Sequence, residues 1–380
     1  MLSTFCAPSR YVQGRNATQQ LGSEMKKIGL AAPVFIIAGS HAAELLAKDW
    51  KQSFDEVGFK FEVFKFAGEC SAKEILRCKE AALKFGAKTV VGAGGGKVLD
   101  TARAVAAEIN AGVVNCPTLA SSDAPCSALS VVYTEDGQFS EYKFYPRNPE
   151  LVLVDSSVVA KGPARLLVAG MGDALATWFE AETVIRAKKK NQVGGATTLA
   201  GEALASLCYE TLLEDGLAAL HAVRSQVVTP ALERLIEANT LMSGLGFESG
   251  GLAVAHSVHN GLTTVRETHN YYHGEKVAFG LLVQLVLEGK PTSVIEEVID
   301  FSMSVGLPIC LADLGIYNPT RALCMQIANR ATAPGETAHN EPFEVTAEMV
   351  ADAILAAESI GRQYKLGEEE DAREMCMALS

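Results

Sequence analysis

Lys88-Thr89-Val90-Val91-Gly92-Ala93-Gly94-Gly95-Gly96-Lys97-Val98-Leu99-Asp100 joins a short apolar run to a glycine turn and then to a helical pattern. The apolar run predicts a buried parallel strand over residues 88–93, and a helix follows from about Val98 to Asn110. Glycines at such a junction let backbone N–H groups approach a phosphate, and the helix N-terminus adds favourable partial charge. The turn is not a Walker A loop, because Val91 and Val98 occupy two of its defining positions. It is not G-x-G-x-x-G either, because residue 97 is Lys. Three glycines and a lysine between strand and helix still read better as a diphosphate-binding turn than as a plain tight turn.

The pattern repeats outward. Upstream, residues 17–29 carry apolar residues at helical spacing, and Pro33–Ala38 reads as another buried strand. Phe61–Phe66 alternates with period two, and Ser71-Ala72-Lys73-Glu74 has the form of a capping box opening a helix through about Phe85. Downstream come a strand at Val113–Cys116, a hairpin of Leu129–Thr134 and Gln138–Tyr145 around Glu135-Asp136-Gly137, and a strand at Leu151–Asp155. Strand–helix alternation at this spacing implies a parallel sheet covered by helices. From Pro163 onward strand signals almost vanish. The expected organisation is an α/β unit over 1–162 and an all-α unit over 163–380.

Composition sets bounds. The formal charge of −12 argues against general nucleic-acid affinity, which needs basic surface for phosphate. An odd set of nine cysteines without a C-x-x-C pair reads as reduced thiols in a cytoplasmic chain. No signal-peptide core or bilayer-length apolar run is visible, so no membrane role is expected. The acidic run Glu368–Asp371 reads as a solvated terminal segment.

Three further stretches carry polar chemistry. Thr118–Ser127 is a hydroxyl-rich loop after a strand, where ligands of α/β proteins bind; Asp123 within it fits a turn cap and a ligand contact equally. Gly170–Thr177 is read as the start of a helix, with Asp173 either a first-turn carboxylate or a ligand. Four of the seven histidines, His256, His259, His269 and His273, fall close together. Such crowding points to a metal or acid–base site, because imidazole ligates divalent metals and titrates near neutral pH. Spacing alone permits several ligand combinations.

Taken together, Gly94–Asp100, Pro117–Tyr133, Gly170–Glu180, Gly244–Thr263 and His273–Gly280 resemble the glycerol dehydrogenases of the iron-type polyol dehydrogenase superfamily, over about Tyr11–Tyr364. The resemblance implies a Rossmann-like N-terminal domain, an all-helical C-terminal domain and an active site in the cleft between them. It implies one metal ion on Asp173, His256 and His273. Where the iron-dependent branch has a further histidine this chain has Thr177, which favours Zn²⁺. His259 becomes a supporting or cleft residue, and His269 stays unassigned. By the same mapping Gly96 and Lys97 hold the cofactor diphosphate, with Gly94, Gly95 and Asp100 supporting. Thr118 and Ser121 flank the adenosine half; Ser127, Leu129, Val131 and Tyr133 surround the nicotinamide half. Asp123 meets the hydroxyls of the substrate.

One departure concerns the cofactor. Gly39 stands where family members often carry an acidic residue that binds the ribose 2′-OH and repels a 2′-phosphate. NAD is expected, with NADP tolerance as the alternative. The implied reaction oxidises glycerol, or another vicinal diol, to dihydroxyacetone or its counterpart. Glycerol-1-phosphate dehydrogenase and a lactaldehyde or 1,2-propanediol oxidoreductase are rivals on the same scaffold, as is dehydroquinate synthase. A non-catalytic nucleotide-binding module would leave the histidines and Asp173 without a purpose. A homo-oligomer is expected from the family, an octamer among the forms.

Overall fold

Six strands form a parallel sheet because their sequences can be buried on both faces. In chain order the strands are β1 (Tyr11–Gly14), β2 (Val34–Ala38), β3 (Phe61–Lys65), β4 (Thr89–Gly94), β5 (Gly112–Pro117), β6 (Leu129–Tyr133), β7 (Phe139–Phe144) and β8 (Leu151–Asp155). The sheet runs β1-β8-β5-β4-β2-β3, and β6 and β7 form a separate antiparallel hairpin. Central β2, β4 and β8 are buried throughout, whereas the edge strands β1 and β3 are not. Register aligns Ala38 with Ala93 and Gly94 with Pro117, so the carboxyl ends of β2, β4 and β5 open side by side. That edge is where open α/β sheets bind ligands.

The structure is a computed structural model that describes residues 1–378. The side chains of Phe139 and of residues 368–378 fall outside the description, and with them the acidic run Glu368–Asp371 and Cys376.

The helices that cover the sheet are α1 (Leu21–Lys27), α2 (Ser40–Val57), α3 (Ala72–Phe85) and α4 (Gly96–Glu108). After the short α5 (Ser156–Val159) the chain is helical: α6 (Ala164–Arg186), α7 (Leu199–Arg224), α8 (Pro230–Glu237), α9 (Ser243–Gly250), α10 (Val254–Leu262), α11 (His273–Leu287), α12 (Thr292–Val305), α13 (Arg321–Ala331) and α14 (Ala347–Ala378). One large apolar core fills this bundle and reaches Val152 and Val154 of β8. Two smaller cores lie on the two faces of the sheet. No described helix is long and apolar enough to cross a membrane.

Two local expectations need correction, and one strand carried no signal in its own residues. Strand β1 lacks an apolar run, and it is a strand only because it pairs with β8, Tyr11 against Val152. The capping box at Ser71 is half formed. Ser71 Oγ accepts from the Glu74 N–H at 3.3 Å, but the Glu74 carboxylate turns to Ala67 N and Arg77 instead. The stretch 170–177 does not start a helix: α6 begins at Ala164, behind Pro163, and carries Asp173 well past its first turn. The helix-dipole reading of Asp173 therefore falls away.

What positions the site is the crossing of α6 and α11. A Cβ on Gly274 would lie 1.7 Å from the Ala169 carbonyl oxygen, so only glycine allows the first turn of α11 to approach α6 this closely. That approach brings His273 beside Asp173.

Candidate metal and cofactor site

Asp173 projects from the middle of α6 and is completely buried. Its Oδ1 atom has no hydrogen-bond donor. Around that oxygen stand His273 Nε2 at 3.0 Å and His256 Nε2 at 3.4 Å. The three side chains offer donor atoms that all lie within 4.8 Å of one another. An orphaned buried carboxylate oxygen facing two imidazole nitrogens is a donor set that suits a divalent cation such as Zn²⁺. Burial works against the Asp173 carboxylate, but the two imidazoles outweigh it and hold its pKa well below the usual carboxylate range.

Each imidazole is oriented from behind. His256 Nδ1 lies 2.6 Å from Glu180 Oε2, and Glu180 Oε1 accepts from the N–H groups of Ala253 and His256. Glu180 lifts the His256 pKa well above normal, although burial opposes it. His273 Nδ1 lies 2.9 Å from His259 Nε2, and His259 Nδ1 meets Asn260 Oδ1 at 3.1 Å. Burial and the neighbouring His273 push the His259 pKa well below normal, so His259 is neutral. With the Nδ1 atoms so engaged, both Nε2 atoms face Asp173. His269 is exposed and bonds only the Thr263 carbonyl, outside the cluster.

Sequence reasoning missed Glu180. It lies seven residues after Asp173, two helical turns on the same face, and that spacing was a usable signal. The partnership of His259 with His273 carried no such signal, since it joins α10 to α11.

Asp123 sits in the loop after β5 and is buried against Asp173. Its N–H donates to Asp173 Oδ2 at 3.2 Å, and Ser243 Oγ donates to its Oδ2 at 3.2 Å. Burial and the adjacent Asp173 charge raise its carboxyl well above the usual range.

The glycine turn caps the carboxyl end of β4. Gly94 ends the strand, Gly95 is the N-cap and Gly96 opens α4. A Cβ on Gly95 or Gly96 would come no closer to other groups than 3.8 and 3.9 Å, to Leu119 and Ser122. Internal packing thus does not demand glycine at either position, and the turn keeps a cradle into which a phosphate fits. Lys97 is half-exposed beside it, paired with Glu69 at 2.6 Å and set over the Tyr133 ring. Leu129, Val131 and Tyr133 are the partly exposed face of β6, and Ser130 and Val132 are buried. Thr118 and Ser121 lie partly exposed in the facing loop. Two expected cofactor residues turn inward. Asp100 is buried in an ion pair with Arg103, whose other nitrogen holds the Ala124 carbonyl. Ser127 is buried with its hydroxyl on the same carbonyl.

The family model for iron-containing alcohol dehydrogenase matches residues 8–156. The chain is 50% identical to a glycerol dehydrogenase of Pseudomonas putida, across 94% of this chain and 98% of that one. It is 49% identical to a glycolaldehyde reductase of Halobacterium salinarum, across 96% and 100%. The crystal structure of glycerol dehydrogenase from Schizosaccharomyces pombe superposes with a TM-score of 0.92 at 38% identity, covering 97% of this chain and 93% of that one.

Proposed function

The chain belongs to the iron-containing alcohol dehydrogenase family, and on that premise we propose that it oxidises glycerol and related vicinal diols at the secondary carbon, giving dihydroxyacetone from glycerol, with NAD as hydride acceptor. The observation that carries this reading is the convergence of Asp173, His256 and His273 beside Asp123. Asp173 Oδ1 and the two Nε2 atoms would hold the cation, for which we propose Zn²⁺. A divalent ion there supplies Lewis acidity that lowers the pKa of an alcohol, and the nicotinamide supplies the hydride-accepting carbon.

The protein's own part is binding and orientation. Gly96 and Lys97 take the diphosphate, with Gly94 and Gly95 supporting and Asp100 bracing the first turn of α4. Thr118 and Ser121 border the adenosine half, and Leu129, Val131 and Tyr133 the nicotinamide half, with the buried Ser127 bracing the loop behind them through the Ala124 carbonyl. Asp123 binds the polyol hydroxyls. Glu180 and His259 keep the two Nδ1 atoms occupied, so that the Nε2 atoms stay available. The α/β part over 1–162 carries the dinucleotide and the part over 163–380 the metal. The free thiols among the described cysteines support a cytoplasmic location. A homo-oligomer is the expected assembly, which light scattering reads directly.

Asp173→Ala, His256→Ala and His273→Ala are each expected to lose bound metal and NADH production together. Full turnover of glycerol by a metal-free preparation defeats the proposal. The substrate panel should include 1,2-propanediol, glycerol 1-phosphate, and glycolaldehyde with NADH. Michaelis constants for NAD and NADP decide whether Gly39 relaxes cofactor choice.

A further inference from the structure

We propose that Ser243 and Thr177 form a hydroxyl relay that sets the rotamer of Asp123, making them positioning residues for polyol binding; this rests on the reading of Asp123 given above. Thr177 Oγ1 and Ser243 Oγ are 2.8 Å apart, and Ser243 Oγ lies 3.2 Å from Asp123 Oδ2. All three residues are buried. A hydroxyl has one proton to give. If Ser243 spends its proton on Asp123, its lone pair must take the proton of Thr177, which fixes the direction of the relay.

The backbone of Asp123 is held by other means. Its N–H donates to Asp173, and Gly244 packs against its carbonyl oxygen so closely that a Cβ there would stand at 2.9 Å. Asn239 holds the same loop through the Ala120 carbonyl at 3.0 Å. What remains free is rotation of the Asp123 carboxyl, and Ser243 is the hydroxyl that restrains it. Its bond engages Oδ2. A π-turn over Ala238–Met242, closed by the bond from Ser243 N to the Ala238 carbonyl, lets Asn239 and Ser243 both reach this loop. Thr177 lies one helical turn after Asp173, on the metal-facing side of α6. The relay therefore joins the helix that bears the metal ligand to the residue that binds the polyol.

The test uses metal-loaded enzyme and measures glycerol KM, kcat, bound metal and NADH Kd. Ser243→Ala should raise the glycerol KM roughly tenfold, the equivalent of one charge-assisted hydrogen bond, with kcat, metal content and NADH affinity close to wild type. Thr177→Val should move the same constant in the same direction by less, and Thr177→Ser should restore it. An unchanged glycerol KM in Ser243→Ala overturns the relay, and so does a parallel loss of metal or NADH binding. Should Ser243→Ala not fold, the Thr177 pair decides: an unchanged KM in Thr177→Val then overturns the relay. Asp123→Asn separates the two layers. If it leaves glycerol KM untouched, the reading of Asp123 is wrong and the relay falls with it. If it moves KM while Ser243→Ala does not, only the relay is wrong.

Discussion

Glu180 shows how much a single residue can contribute without touching a substrate. Its carboxylate binds the Nδ1 side of His256 and two backbone N–H groups at the start of α10. It therefore fixes both the imidazole and the helix end that carries it. Replacing such a partner commonly costs about 10–100-fold in metal affinity. Glu180→Gln is expected to weaken divalent-metal binding by about tenfold, and Glu180→Ala by more, as read by competition with a chromogenic chelator. Equal affinity in all three proteins would remove Glu180 from the metal centre. His256 was identifiable as a candidate from histidine crowding. Its partner was marked only by its spacing from Asp173 on α6; the bond itself joins α6 to α10 across 76 positions of sequence.

The strand–turn–helix unit of β4, the glycines and α4 was legible at the scale of elements because its signals are local. Periodicity, a glycine run and a helix start all lie within one short window. The structure adds a distinction between glycines. Gly95 has room for a methyl group, whereas Gly274 has a carbonyl oxygen 1.7 Å from where a Cβ would stand. Gly95→Ala is thus expected to fold normally, with a thermal midpoint close to wild type, and to bind NADH roughly tenfold more weakly if a phosphate occupies the turn. Gly274→Ala should force α6 and α11 apart, destabilise the protein by about 3 kcal/mol and lose the metal. Calorimetry and metal analysis on both variants check the contrast; a stable, metal-loaded Gly274→Ala would contradict it. The hairpin was also readable in advance. Strand β1 was not, because its pairing with β8 determines it and its own residues do not.

Across the whole molecule, charge is buried behind the metal centre as well as in it. Glu341 is 2% exposed, and neither carboxylate oxygen has a hydrogen-bond partner. Burial, then Glu288 and Glu180, push its pKa from 4.5 up to about 8, although Arg186 and Lys290 oppose the shift. A folded-state pKa above the unfolded value means that the native state binds the extra proton. The resulting stabilisation is full below about pH 4.5 and is lost as pH rises through about 8. Glu341→Gln mimics the protonated form. It should match wild type in thermal midpoint at about pH 4.5 and exceed it by roughly 5 °C at about pH 8.5. Identical pH profiles would show that the carboxyl is not the group responsible.

The amino-acid sequence alone determined the α/β-then-helical order, the glycine turn and the crowding of histidines, because each rests on patterns local in the chain; the ligand set of Asp173, His256 and His273 followed only from the family resemblance. The fold alone decided what stands behind the two histidines that face Asp173 and which hydroxyls reach Asp123. Those contacts join residues 14 to 120 positions apart. Spacing along a chain constrains only neighbours on one element. Convergence of distant side chains depends on how closely helices can cross, and here that is set by a glycine against a carbonyl.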